Sequence, residues 1–431
     1  MLDIKIIRDN PQLVKENLKK KFQDDKIKLV DEILAIDEQW RKERFNADNL
    51  RKERNKISEE INKAKKMGNE KLAKELIRTA KDIPDKIKAV EFETENYEKK
   101  LQELLMQMPN IMSKNVPLGK TDKENVVVKV IGKPKKFSFE VKSHVEIIEA
   151  FGLSDFDSSA RVSGTGFYYI EGELALLNQA LLNYARDVMV KKGFRYVETP
   201  LLLREEIIDK VTDLHDKKNQ IYLVEDDPKM ALIGTSEHSL IGRYVGRELA
   251  ENLLPIKHTS YSMCFRKEIG AHGIDERGLY RTHQFNKIEM IVICLPQQSE
   301  KFFKELQNIT VEIFKNLEIP IRVLAICSGD LGDLKHEQVD IEAYSPRRGG
   351  YFEVGSCSNL AAAQSRKLEI YARVKGERIL PHTLNNTALA SSRALVAILE
   401  NHQQKDGSVK IPKALWKYTG FKEIKNPAKK K

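Results

Sequence analysis

Two apolar seams with a 3.5-residue repeat govern what the first quarter of this chain can become. The first steps through Leu29, Ile33, Ile36, Trp40, Glu43, Ala47, Leu50, Arg54, Ile57, Ile61 and Ala64, and only Glu43 and Arg54 interrupt it. The second runs Leu76, Ala80, Ile83, Ile87, Val90, Thr94, Tyr97, Leu101, Leu104 and Met108, with Thr94 its one polar member. A repeat of this period keeps one stripe of a helix against a partner helix. A strand cannot use it, because its side chains alternate every two residues. The only glycine in residues 1–110 is Gly68, and with Asn69 it supplies turn chemistry between the seams. A short connection makes consecutive helices antiparallel neighbours. Residues 28–108 are therefore predicted to form a helical hairpin, about 54 Å long at 1.5 Å per residue. Pro84 lies inside the second seam, where its missing N–H and its ring predict a kink or break. A dimerising coiled coil would carry the same pattern. Residues 51–74, near the tip, hold nine Lys and Arg against four Glu. Such a run is a solvated face first and a polyanion-binding face second.

After Met108-Pro109-Asn110 the chain changes character. Pro109, Pro117, Gly119, Gly132 and Pro134 punctuate it, and Val126 to Ile131 reads as a strand. Beyond this, short strand-like runs alternate with helical patterns, which predicts an α+β domain on an antiparallel sheet. The expected organisation is an N-terminal domain over 1–110, a linker over 111–125, a main domain over 126–420 and a lysine-rich tail over 421–431.

The 431 residues are 41% hydrophobic and 32% charged, with a mean hydropathy of −0.48. No run reaches the ~18–20 apolar residues of a membrane span. The N-terminus, MLDIKIIRDNP, lacks the apolar core of a secretory signal. Cys264, Cys294, Cys327 and Cys357 are scattered, without zinc-ligand spacing, so no structural zinc is expected. A reduced, cytoplasmic setting follows. Residues 1–110 hold 26 basic and 23 acidic residues, and 408–431 hold eight Lys and one Glu. The formal charge of +10 therefore resides in the arm and the tail, and the body between them is neutral.

Neither a G-x-x-x-x-G-K-[ST] loop nor a G-x-G-x-x-G turn is present, so any nucleotide is bound another way. Tyr261 to Glu268 and Arg281 to Ile293 read as two strands joined by a polar loop. Alternation would place Arg266 and Glu268 on one face of the first strand. On the second it sets Phe285, Lys287 and Glu289 opposite Ile288, Met290 and Val292. A guanidinium, a flat ring and carboxylates on one face suit a nucleotide and an amino acid, and also suit a solvated face of ion pairs. In Leu384 to Glu400, Ser391 or Ser392 is the expected N-cap of an apolar helix. Arg393 then falls in the first turn, against the helix dipole, where either an anion or a nearby carboxylate would offset it. Thr235 or Ser236 reads as a further N-cap. Alternation puts Glu353 and Ser356 on opposite strand faces, so a metal shared by both requires a bend at Gly355.

These segments, in this order, resemble the seryl-tRNA synthetases, a family of class II aminoacyl-tRNA synthetases. Gly193 to Pro200 resembles the first class II motif, Phe265 to Glu289 the second and Asn386 to Glu400 the third. Together with Thr235-Ser236-Glu237 and the long arm, they cover nearly the whole chain. The resemblance implies an antiparallel class II catalytic sheet with an N-terminal coiled-coil arm that reaches the long variable arm of serine tRNA. It implies a homodimer, ATP and Mg2+, with tRNA(Ser) as acceptor and tRNA(Sec) as a second candidate. By similarity, Arg266 and Arg393 are catalytic. Thr235, Ser236, Glu237, Arg266, Glu289 and Thr387 bind serine. Arg266, Lys267, Glu268, Arg281, Thr282, Phe285, Glu353, Val354, Gly355, Ser356 and Arg393 bind ATP, with Glu353 and Ser356 on the metal. Ala361-Ala362-Ala363 stand where the family commonly has an acidic and an aromatic residue before Gln364. Two other classes compete: a paralogue charging a different acceptor, which would lack the arm, and a non-catalytic RNA-binding relative, which would lack the phosphate-binding arginines.

Overall fold

The computed structural model describes residues 2–225, 227–268 and 277–427. The chain forms two compact units, Met1–Ile111 and Met112–Lys431.

The first unit is all helical. Helices α1 (Ile4–Asp9) and α2 (Pro11–Lys20) precede α3 (Ile27–Lys66), α4 (Glu70–Ala80) and α5 (Ile83–Met106). Asn10 caps α2 through Leu13 N–H, and Pro11 takes the first helical position, where no N–H is needed. The 40 residues of α3 span about 60 Å. Its stripe of Ile33, Ala47, Ile57 and Ala64 is buried, as are Ile83, Ile87, Leu101 and Leu104 of α5. Thr94 sits in the seam by donating its hydroxyl to Val90 O at 2.8 Å. Gly68 has φ +71, the left-handed turn a glycine makes without strain, and Asn69 then caps α4 through Leu72 N–H. The break expected from Pro84 lies at residues 81–82, and Pro84 occupies the first turn of α5. A missing N–H costs nothing there. At the base, Leu2 and Ile7, Val14 and Leu18 of the two short helices pack on Val30, Ile33, Leu101 and Leu104. The buried Asp37 carboxylate accepts Arg8 Nε at 2.6 Å, so its charge is paired.

The second unit is built on an eight-stranded sheet. Its strands are β1 (Val126–Ile131), β2 (Arg195–Tyr196), β3 (Ile256–Phe265), β4 (Gln284–Cys294), β5 (Ile321–Ala325), β6 (Glu337–Ser345), β7 (Gly350–Ala361) and β8 (His382–Ala390). The spatial order is β1-β5-β6-β7-β8-β4-β3-β2. Every pair is antiparallel except β2 with β3. Three helices, α6 (Gly172–Lys191), α8 (Ser299–Asn316) and α9 (Ser391–Asn401), bury one face and make the main core. The short α7 (Ser236–Gly242) serves a smaller core on the other face.

Strand β4 shows how one strand serves both faces. Ile288, Met290, Val292 and Cys294 enter the main core. Each such side chain removed from water contributes about 1.5–3 kcal/mol. On the opposite face, Ile291 and Ile293 enter the smaller core with Leu240 and Ile241. The rest of that face, Phe285, Lys287 and Glu289, is left for chemistry.

Residues 112–125 pack on the second unit, with Ser113 N–H on His336 O, Gly119 N–H on the Ser328 hydroxyl and Met112 and Val116 against Leu324. Of the lysine-rich segment from 421, Phe421 packs on the main core and Ile424 is buried in it. Residues 428–431 lie outside the described residues.

Candidate active site

Two adjoining cavities open over the polar end of β4. The larger, about 300 Å³, is lined by Thr235, Glu237, Lys287, Glu289, Ser356 and Thr387 among others. The smaller, about 40 Å³, is lined by Glu268, Arg281, Thr282, Phe285, Val354, Gly355 and Arg393. Arg266, Lys287, Glu353 and Thr387 belong to both. A single guanidinium, that of Arg266, thus reaches a pocket of carboxylates and hydroxyls on one side and a pocket of cations on the other.

Sheet register brings these groups together. Glu289 lies between Ser260 on β3 and Thr387 on β8. Lys287, buried two residues before it, forms an ion pair with the Glu289 carboxylate. Thr235 caps α7: its hydroxyl accepts from Glu237 N–H at 3.3 Å and donates to Glu289 Oε2 at 3.2 Å. Ser236 is fully buried and lines neither cavity.

The bend required at Gly355 takes the form of a β-bulge. Glu342 pairs with Glu353 and Ile341 with Gly355, so Val354 is the extra residue. Asp340 pairs with Ser356, and Asp340 and Glu342 share a face of β6. The bulge therefore brings Glu353 and Ser356 onto one face, which regular alternation could not do. Gly355 also lets β7 approach β8 closely. A Cβ there would meet Thr387 O at 3.2 Å and Thr310 Cγ2 at 3.3 Å. Gly355→Ala is expected to push β8 and Thr387 outward, destabilise by about 1–3 kcal/mol and lower activity on the order of a hundredfold. A thermal melt and an activity assay on the same preparation check both.

Other sequence expectations are corrected. Strand β3 ends at Phe265, and Glu268 has φ +49, so Arg266 and Glu268 converge through a loop and not by strand alternation. Arg266 Nε donates to Gly234 O at 3.2 Å, and its guanidinium lies 5.5 Å from the Phe285 ring centre. Glu268 faces Arg281 at 3.6 Å. Lys267 lines neither cavity; its ammonium sits 5.9 Å from the Tyr222 ring centre. Neither Ser391 nor Ser392 caps α9. The N-cap is Ala390, and the Ser391 hydroxyl is drawn to Asn286 O at 3.4 Å. Arg393 is in the first turn as expected, and Glu353 holds it there, with both its carboxylate and its carbonyl 3.0 Å from the guanidinium. Part of the loop between β3 and β4 lies outside the described residues.

Burial and charge set the protonation states. Burial pushes the Glu237 carboxyl up to about 7, and neighbouring Glu289 pushes the same way. Burial drives His238 down to about 3, aided by Lys287 and Arg266, so its ring is neutral. Asp340 rises to about 7 through burial and the charge of Glu353. Burial pushes Glu353 up too, but Arg393, Arg266 and Lys335 outweigh it and hold that carboxyl below its ordinary value. The charges are thus sorted: a carboxylate fixed ionised beside the arginines, and carboxyls poised near neutrality deeper in.

Several site residues went unread in the sequence. Gln338 donates to Asp340 at 2.7 Å and to the Ser356 hydroxyl at 2.9 Å, and Lys335 donates to Gln338 at 2.7 Å. The signal was the alternation in Gln338-Val-Asp-Ile-Glu342, polar on one face and apolar on the other. Glu353, Ser356 and Asp340 offer only hard oxygen donors, which suits a Mg2+ ion that keeps water and phosphate oxygens in its shell. Among the described residues, no group of three or more His, Cys, Asp and Glu side chains is placed to hold a metal alone.

Comparison with known proteins agrees with this geometry. The family model "Seryl-tRNA synthetase N-terminal domain" matches residues 1–112, and "tRNA synthetase class II core domain (G, H, P, S and T)" matches residues 222–402. The serine–tRNA ligase of Methanocella arvoryzae is 44% identical over 422 residues, covering 97% of this chain and 98% of that protein. The crystal structure of seryl-tRNA synthetase from Pyrococcus horikoshii complexed with ATP superposes with a TM-score of 0.92 at 41% identity, over 98% of this chain and 99% of that one. That of the cytoplasmic serine–tRNA ligase from Naegleria fowleri, in complex with AMP, gives 0.89 at 32% identity, over 99% of both chains. Sheet, arm, paired cavities and full-length identity converge, and this chain belongs to the seryl-tRNA synthetase family of class II synthetases.

Proposed function

We propose that the chain is a serine–tRNA ligase that forms seryl-adenylate from serine and ATP and passes the seryl group to tRNA(Ser). The observation that carries this reading is the position of Arg266, shared by the two cavities. The serine carboxylate attacks the α-phosphate, pyrophosphate leaves, and Arg266 stabilises the charge that builds between the two reactants. No protein nucleophile is needed. The terminal ribose hydroxyl of the tRNA then attacks the seryl carbonyl and AMP leaves.

In this reading the larger cavity holds serine. Glu237 and Thr235 take its ammonium, and Glu289 and Thr387 take its hydroxyl. ATP lies across the smaller cavity and the adjoining cleft of about 500 Å³, which shares Glu268, Arg281 and Thr282 with it. Phe285 stacks on adenine, Glu268 and the Thr282 backbone read its edge, and Arg281 and Arg393 hold the distal phosphates. Glu353 and Ser356, joined by Asp340, would hold Mg2+, which when bound neutralises phosphate charge. The N-terminal unit, with its basic tip, is the tRNA-binding part. A homodimer, a cytoplasmic location and tRNA(Sec) as a second acceptor belong to the same reading. No helix among the described residues is long and apolar enough to cross a membrane.

Amino-acid-dependent ATP–pyrophosphate exchange tests it. Serine should support exchange, and alanine should do so at least about a thousandfold less efficiently, because without the hydroxyl the buried Glu289 and Thr387 lose a partner. Exchange with a different amino acid would overturn the pocket assignment, and no exchange with any would overturn the enzyme reading.

A further inference from the structure

The amine end of the larger cavity has a support that is not part of the binding set above. Gln364 lies in the first turn of the short helix Ala363–Lys367 and is fully buried. Its amide nitrogen donates to Glu237 Oε1 at 2.8 Å and to Val211 O at 3.2 Å. Its amide oxygen accepts from the buried Thr383 hydroxyl at 2.7 Å. A carboxylate and a carbonyl can only accept, so turning the amide over would set oxygen against two acceptors. The direction of this side chain is therefore fixed by its neighbours. Three separate parts of the unit, at Val211, at α7 and at β8, close on one amide.

We propose that Gln364 is a positioning residue for the amine end of the serine pocket, holding the Glu237 carboxylate in one orientation and in its charged form. This rests on the reading of Glu237 as a ligand of the serine ammonium. Glu237 needs such help. It is largely withdrawn from water beside a second carboxylate, Glu289, and both effects favour its neutral form. The opposing groups are the Gln364 amide, Lys287 on β4 and Lys335 before β6. Asp213 lines the same cavity, and the neighbouring His238 is neutral. Of the opposing groups, Lys287 is paired with Glu289, and Lys335 donates to Gln338. Among the described residues, Gln364 is the side chain that donates directly to the Glu237 carboxylate. A donor to the ionised form favours that form, and an ionised carboxylate is what an ammonium requires.

The sign follows. Serine binding requires Glu237 ionised, so KM for serine falls as pH rises through the Glu237 pKa, near 7. Without the amide donor that fall moves to higher pH.

The test measures exchange with the full chain at pH 6 to 8.5. Gln364→Met keeps the length of the side chain and removes both donor and acceptor. KM for serine at neutral pH should rise on the order of tenfold, and the acid limb of kcat/KM for serine should shift up by about one pH unit. KM for ATP, and kcat at saturating serine, should hold within about threefold. Gln364→Glu keeps the shape and sets two carboxyls together, which cannot both ionise at little cost. The carboxyl added beside Glu237 should move the acid limb of that variant up further than in Gln364→Met. Damage to packing alone would not order the two limbs by the charge at position 364. An unchanged KM for serine in Gln364→Met, or equal rises in KM for serine and ATP at every pH, overturns the proposal. Absence of serine-dependent exchange in the unmodified chain overturns instead the reading of the pocket on which it rests.

Discussion

Arg266→Ala is expected to remove serine-dependent ATP–pyrophosphate exchange, with kcat/KM for serine falling on the order of 10³–10⁴. Losing a single donor to a developing oxyanion costs about 10²–10³. Arg266 is asked for more, because it serves two reactants at once. It lines both cavities and stands over the Phe285 ring, and Gly234 O fixes its Nε. An alanine there leaves the α-phosphate and the serine carboxylate to repel each other. Arg266→Lys should recover little, since an ammonium cannot make the planar, two-sided contact of a guanidinium. The change should be felt in kcat as well as KM, because the interaction strengthens as charge moves. Thermal stability should change little, as the side chain gives one hydrogen bond to the protein's own backbone. A fall in kcat/KM of less than tenfold, with the fold intact, would show that another cation bridges the reactants. Lys287, the other cation in both cavities, would be the one to examine next.

How far the sequence could be read depended on the range of the physics at each position. The arm was legible because a 3.5-residue repeat is local: each helix carries the record of its partner in its own stripe. The Gly68-Asn69 turn was legible for the same reason, since a left-handed residue followed by an N-cap is settled within six residues. Strand β4 was half legible. Alternation predicted a polar face holding Phe285, Lys287 and Glu289, but not that Ile291 and Ile293 continue that face into a second core. What lies above a strand is decided by other parts of the chain. The bulge at Val354 was not legible as such. Gly355 permitted a bend, but the extra residue is defined only by register against Ile341 and Glu342 on β6. The capping of α9 failed in the same way. Ser391 has the right chemistry for an N-cap, but its hydroxyl is taken by Asn286 O, 105 residues earlier in the chain. Gln364 was read as a family landmark, and its three partners come from Val211, Glu237 and Thr383. Residues that carry charge or flatness into a site announce themselves in sequence. Residues that hold those groups in place become visible only once the sheet is assembled.

The other large effect expected is a separation of the two half-reactions when the arm is shortened. The layout of the hairpin decides where to cut. Removing residues 30–108 would take away Val30, Ile33, Leu101 and Leu104, on which α1 and α2 pack, and would unfold the base. The distal hairpin has its own cluster, with Ile57, Ile83 and Ile87 buried against Leu50, Ile61 and Leu76. Arg51 and Glu91 pair across the two limbs at 2.7 Å, and Lys100 and Glu32 pair nearer the base at 3.4 Å. A truncation that replaces residues 52–90 with a short turn removes the distal cluster and leaves both pairs. Serine-dependent exchange should then stay within about threefold of the full chain, since every residue lining the two cavities lies in the second unit. Aminoacylation of tRNA(Ser) should fall by at least about a hundredfold, because a tip that meets phosphates with several Lys and Arg supplies salt-sensitive affinity. Charge reversal of Lys63, Lys65, Lys66 and Lys71, which are all exposed, tests the same point with the hairpin left whole. It should raise KM for tRNA and flatten its dependence on salt, while KM for serine stays unchanged. If exchange falls in step with charging, the arm is coupled to the chemistry and is not a probe alone. If charging survives both changes, the basic tip is a solvated helix end and the tRNA is held elsewhere.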